Sequence, residues 1–189
     1  HPESSNYTDV YYEHHLMGTM PTVMAHCIHL SDVEMDRMAE TQTMVSHCPY
    51  SNVNLSSGIA PIRKLIERNI PIGLGSDISG GHIVSMAKIL TEAIGLSKIK
   101  WAEVDPNYAP LTLSEAFYMA TKGGGQFFGH VGSFEKGYEL DALIIDDTSL
   151  FDLNERSLEE RLERWLYVGD DRHIIERYVA GRVVPSPKG

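Results

Sequence analysis

Three times between residues 22 and 94, a short apolar run ends in a polar side chain able to do chemistry, and a loop and a helical stretch follow. The runs are Thr22-Val23-Met24-Ala25-His26, Thr43-Met44-Val45-Ser46-His47 and Ile72-Gly73-Leu74-Gly75-Ser76-Asp77. Each is too short for a stable helix and reads as a strand. The stretches between them carry helix signatures. Ser31 and Glu34 form a capping box, each satisfying a backbone donor that the first helical turn leaves free. Pro61 suits a helix entrance, where a missing N–H costs nothing. Met86, Ile89, Leu90, Ala93 and Ile94 fall on one helical face. Strands alternating with helices imply crossovers, and hence a parallel sheet. Units of this brevity and spacing suit a (β/α) barrel; an open flavodoxin-like sheet has the same local pattern.

In a parallel barrel the C-terminal strand ends converge at one mouth, where barrel active sites lie. His26, His47 and Asp77 all occupy such ends. A histidine and a carboxylate meeting there can bind a divalent metal, activate water, or both. Singly, each has a plainer explanation, as a buried imidazole satisfied by a backbone carbonyl or an Asp capping the next helix. Three at equivalent positions favour a site. Alternation puts Met24 and Thr22 on the His26 face, and Gly73 and Gly75 on the Asp77 face, which predicts room beside Asp77. His29 is expected to face a neighbouring loop. His14, His15, His82, His130 and His173 are expected in surface or capping roles.

Outside these units, residues 8–17 read as a short helix stopped by Gly18. Thr112 and Glu115 form a second capping box, opening a helix through Ala120. Gly123-Gly124-Gly125 then interrupts it, and residues 126–129 make a last turn. Residues 137–145 read as a turn and a buried strand. Ser157 and Glu160 cap a charged helix to Trp165, and residues 174–184 read as strands with Gly181 marking a hairpin. These tail strands are too few for a sheet of their own.

A formal net charge of −10, with no basic run, excludes a partner that must be gripped along a phosphate backbone. A free base or nucleoside carries no such requirement. No apolar stretch approaches the roughly 20 residues that span a bilayer. No signal peptide is visible, and Cys27 and Cys48 form neither a C-x-x-C pair nor a disulfide framework. The expected compartment is the cytoplasm. Residues 73–81 lack both phosphate-loop spacings. The H-x-E and P-C-x-x-C of deaminases acting within nucleic acids are absent.

Ala25-His26-Cys27, Ser46-His47-Cys48-Pro49-Tyr50-Ser51-Asn52, Ser56-Ser57-Gly58 and Gly73-Leu74-Gly75-Ser76-Asp77 together resemble the amidohydrolase superfamily. The run from Leu166 through Gly169-Asp170-Asp171-Arg172 narrows the likeness to its guanine-deaminating members. The resemblance implies that residues 1–135 are the C-terminal part of a (β/α)8 TIM-like barrel, and that 136–189 are return strands and a helix of a small β-sandwich domain. It implies hydrolysis of guanine to xanthine and ammonia, with Zn²⁺, or Fe²⁺ in some relatives, activating the water. Asp77 then corresponds to a metal ligand that also shuttles the proton of the attacking water. His26 corresponds to the histidine that hydrogen-bonds the hydroxide or the tetrahedral intermediate, so both residues touch substrate. His47 takes a loop-organising role. The family's H-x-H, its H-x-x-E and its base-reading residues are expected before His1, where the lack of an initiator Met points to an excerpted or processed chain. Residues 1–189 alone are therefore expected to bind metal weakly and to be inactive, and the complete protein to form a homodimer. Two rivals stay open. One is an aminohydrolase for another purine, pyrimidine or triazine; the other is a non-catalytic scaffold that offers an exposed Trp165 and Tyr167 to a partner.

Overall fold

The computed structural model describes residues 1–150 and 152–185; residues 186–189 of the expected β domain lie outside the described residues. Helix α1 (Tyr7–Glu13) is capped by Asn6, whose side chain accepts from the Asp9 N–H. It stops well short of Met17 because His15 turns left-handed, at φ 56°. The three predicted strands follow as β1 (Val23–Ala25), β2 (Met44–His47) and β3 (Ile72–Leu74). They pair in parallel in that order, with Ala25 level with Ser46 and Ser46 level with Gly73.

Helix α2 (Asp32–Glu40) lies between β1 and β2, and its predicted capping box forms in full. Between β2 and β3 stand α3 (Pro49–Asn54), which the polar sequence reads as loop, and α4 (Ile62–Glu67). Helix α5 (Met86–Ile99) follows β3 and buries Ile89, Leu90, Ala93 and Ile94 of the predicted face; Met86, in its first turn, stays exposed. One face of the sheet is sealed by these helices. Val45 and Ile72 join Met35, Met38, Leu65, Leu90 and Ile94 in a single core, where each fully buried side chain contributes about 1.5–3 kcal/mol. The opposite face, with Val23, Ser46 and Gly73, overlooks a cavity of about 410 Å³ shared with Met119, Gly124 and Phe128.

Helix α6 (Leu113–Tyr118) also starts on its predicted box, and runs on as a wider turn over Met119–Gly123. The glycine triplet does not interrupt it. A Cβ on Gly123 would lie 2.8 Å from the Ile72 carbonyl oxygen, so glycine lets this turn lie directly on β3.

Strand β4 (Ala142–Ile145) then pairs antiparallel with β5 (Ile174–Val179), and β5 with β6 (Arg182–Val183). The tail strands were expected to be too few for a sheet, yet with β4 they form one of three strands. Ala180 and Gly181, both at positive φ, make the hairpin turn whose twist matches the flanking strands. The β4 strand is not buried as predicted: Leu143 and Ile144 are 51% and 42% exposed, because no second layer covers them. Helix α7 (Leu158–Val168) forms on its box and packs against α5. Trp165 on α7 is buried in the core, correcting the expectation of an exposed aromatic, whereas Tyr167 is exposed. Among the described residues, no helix is long and apolar enough to cross a membrane.

Candidate active site

Strand β1 ends at Ala25 because the backbone turns left-handed, with φ 67° at His26 and 49° at Cys27. The His26 N–H still donates to the Ser46 carbonyl at 2.9 Å, so the turn begins on the last rung of the ladder. Such conformations cost of order 1–3 kcal/mol and concentrate at functional positions. The turn also breaks the alternation read from sequence. Met24 packs against the helix-side core instead of sharing the His26 face, and the ring reaches the mouth only through the twist at its own Cα.

Asp77 lies beyond the end of β3, likewise at positive φ, 42°. Its carbonyl accepts from the Gly81 N–H at 2.7 Å and closes the loop on itself. Gly80 sits directly on the carboxylate: a Cβ there would lie 2.5 Å from Asp77 Oδ2 and 2.7 Å from Ser51 Oγ. Of the two strand glycines, Gly73 borders the cavity of about 410 Å³ but Gly75 does not, and neither has space for a side chain of its own. A Cβ at Gly73 would meet Met44 Cε at 2.6 Å, and one at Gly75 would meet Ser46 Oγ at 2.6 Å. Met44 and Ser46 on the sheet, with the Gly124 backbone, take the space immediately beside them.

Two of the three strand-end residues come together. His26 Nε2 stands 3.8 Å from Asp77 Oδ2, and each side chain is about two-fifths exposed, open to the mouth. The other ring nitrogen, Nδ1, lies 2.9 Å from Asn52 Oδ1 on α3. His47 does not join them at the surface and is 2% exposed. Burial, followed by the proximity of His26, holds its imidazole down at about 4, so it is neutral near pH 7. Burial raises the Cys27 thiol to about 12, helped by Cys48 and Glu34. Burial also raises the Cys48 thiol, with the Asp77 charge acting in the same direction. Neither is a thiolate near pH 7, so neither serves as nucleophile.

The remaining histidines are occupied elsewhere. His29 Nε2 is 2.9 Å from the Ser57 carbonyl, in a neighbouring loop as expected. His82 meets Tyr50 edge-on, His130 stacks on Tyr138, and His173 Nδ1 accepts from the Asp170 N–H. His14 ends α1.

Asn52, Ser51 and Gly80 were given no role from sequence. Pro at the first position of a helix was the available signal for α3, which brings Ser51 and Asn52 under the mouth. Among the described residues, no group of three or more His, Cys, Asp or Glu side chains is arranged to hold a metal. Asp77 and His26 are two donors where a zinc site takes about four.

The sequence profile of the amidohydrolase family matches residues 1–184. The guanine deaminase of Dictyostelium discoideum is 40% identical over 97% of this chain and 42% of its own length. That of Mus musculus is 39% identical over 98% of this chain and 43% of its own. A crystal structure of guanine deaminase from C. acetobutylicum, with guanine bound in the active site, superposes with a TM-score of 0.93 at 50% identity, covering 97% of this chain and 44% of that one. The chain thus spans less than half the length of these relatives.

Proposed function

We propose that this chain, which belongs to the amidohydrolase family, supplies part of the active site of a metal-dependent deaminase that hydrolyses guanine to xanthine and ammonia. The observation that carries the reading is the approach of His26 Nε2 to Asp77 Oδ2, 3.8 Å, on two left-handed turns beyond the ends of β1 and β3, the strands that flank β2. The identity with guanine deaminases, 40% and 50% in the two strongest comparisons above, supports the choice of base.

In this reading β1–β3 belong to the C-terminal part of a (β/α)8 barrel, with residues 1–135 in the barrel and 136–189 in a small β-sandwich domain. The donor chemistry suits a divalent ion, Zn²⁺ or Fe²⁺, only as a contribution: Asp77 provides one carboxylate ligand, and the rest come from residues expected before His1. Such an ion, when bound, lowers the pKa of water from about 15.7 to about 7. Asp77 accepts a proton from the attacking water and passes it on to the departing amine. His26 presents Nε2 to the oxygen that adds to the amino-bearing ring carbon. Buried His47, neutral near pH 7, adds no competing positive charge beneath the pair.

Two substitutions in the complete protein test this. Asp77→Asn should lower guanine turnover at least 10²–10⁴-fold, the range of a lost acid–base group, and lower metal content with it. His26→Ala should lower the rate about 10²-fold, the lower end of the range for a lost proton-handling group, with most metal retained. Normal metal content and near-normal turnover in Asp77→Asn would refute the assignment.

A further inference from the structure

We propose that Asn52 is a positioning residue: its buried carboxamide oxygen holds the His26 ring with the proton on Nδ1, leaving Nε2 to face Asp77 as a lone pair. The catalytic consequence rests on the deaminase reading above; the structural content stands apart from it.

Asn52 is 1% exposed, and its backbone is fixed at both ends, accepting from Ser57 N–H at 2.8 Å and donating to the Cys48 carbonyl at 3.0 Å. Its Oδ1 lies 2.9 Å from His26 Nδ1. An amide oxygen can only accept, so the ring must donate from Nδ1, and a neutral imidazole then has no hydrogen on Nε2. At 3.8 Å, Nε2 and Asp77 Oδ2 are too far apart for a direct hydrogen bond. In that neutral form two acceptors face each other across the gap, an arrangement that is favourable when a donor such as water lies between them.

The amide nitrogen supplies a second argument. Asn52 Nδ2 is buried without a hydrogen-bond partner, as are Ser51 Oγ and His47 Nδ1. An orphaned buried donor is costly, and an apolar side chain of similar size would fill the position without that cost. The carboxamide is kept for its oxygen. The left-handed backbone at His26 adds to the need for an anchor, because the ring's direction there is not fixed by a regular strand.

The test uses the complete protein with ¹⁵N-labelled histidine, comparing wild type with Asn52→Leu, which removes the acceptor, and Asn52→Asp, which keeps one. Imidazole nitrogen shifts should show His26 protonated on Nδ1 in wild type and Asn52→Asp, and a mixture of tautomers in Asn52→Leu. Guanine kcat should fall about 10²-fold in Asn52→Leu with KM changed less than about threefold, and by less than about tenfold in Asn52→Asp. A wild-type proton on Nε2 overturns the proposal. So does an Asn52→Leu protein that loses melting temperature but keeps the wild-type tautomer, since that is a packing role alone. Should Asn52→Leu fail to fold, the tautomers of wild type and Asn52→Asp decide. Should wild type not deaminate guanine, the deaminase reading falls, and the nitrogen shifts still decide this one.

Discussion

Gly80 carries no functional group, yet it fixes where the Asp77 carboxylate can sit. An added methyl would fall 2.5 Å from Asp77 Oδ2 and 2.7 Å from Ser51 Oγ, so Gly80→Ala must displace the carboxylate from its present position beside His26 or shift the loop that carries it. Misplacement by about an ångström can cost about 10²-fold in rate, so kcat/KM of the complete protein should fall by about that much while its melting temperature moves little. An unchanged kcat/KM would show that Asp77 tolerates displacement. Glu115 makes a different kind of prediction. Its carboxylate takes two hydrogen bonds from Arg63, at 2.7 and 2.9 Å, and also caps Thr112. Arg63 is the main reason it is held down at about 2, against an ordinary value of 4.5. A depressed pKa means the stabilisation is complete above about 4.5 and disappears as pH falls towards about 2. Glu115→Gln keeps the cap and removes the charge, so it should cost about 1 kcal/mol at pH 7 in urea unfolding, a cost that shrinks at pH 3. An equal cost at both values would assign it to packing. His26 and Asp77 were legible in sequence because their chemistry is intrinsic. Asn52 and Gly80 were not, because each matters only through what folding brings beside it.

Elements were legible where a local rule fixes them. All three capping boxes, at Ser31, Thr112 and Ser157, form as read, because a box is satisfied within four residues and needs no tertiary help. What failed depended on distant partners: α3 sits in a polar run that reads as loop, and β4 was assigned a burial that it lacks. The Ser31 box shows how a local signal becomes a tertiary one. Glu34 takes the Ser31 N–H at 2.8 Å and also the N–H of buried Thr8 on α1, at 3.3 Å. Burial pushes its carboxyl up, but the hydrogen bonds from Ser31 and Thr8 outweigh burial and leave it lowered. Ser31→Ala should therefore cost about 1 kcal/mol, the ordinary worth of a cap. Glu34→Ala should cost about 2–3 kcal/mol, because it also strands the Thr8 donor. Equal costs in urea denaturation would mean that α1 docks without this contact.

At the scale of the whole molecule, strand–helix alternation was enough to read a parallel sheet and its mouth, but not what lies across from it. Parallel sheets are ordinarily covered on both faces. Here one face meets a cavity of about 410 Å³, and a cleft of about 1180 Å³ runs between α6 and β4, lined by Phe117, Leu143, Leu162 and Tyr178. Phe128 and Phe134 are 79% and 81% exposed. Apolar surface on this scale is contact surface. The same incompleteness holds in the chemistry: Asp77 and His26 offer two donors, and an ion held by two in water exchanges easily. Residues 1–189 expressed by themselves should thus bind a hydrophobic dye strongly and take up zinc weakly. Guanine turnover should stay at the level of the blank. The zinc that does bind should weaken further in Asp77→Asn, as read by calorimetry. Turnover by the 189-residue chain would mean that two side chains at this mouth suffice, and that the argument from donor number is wrong.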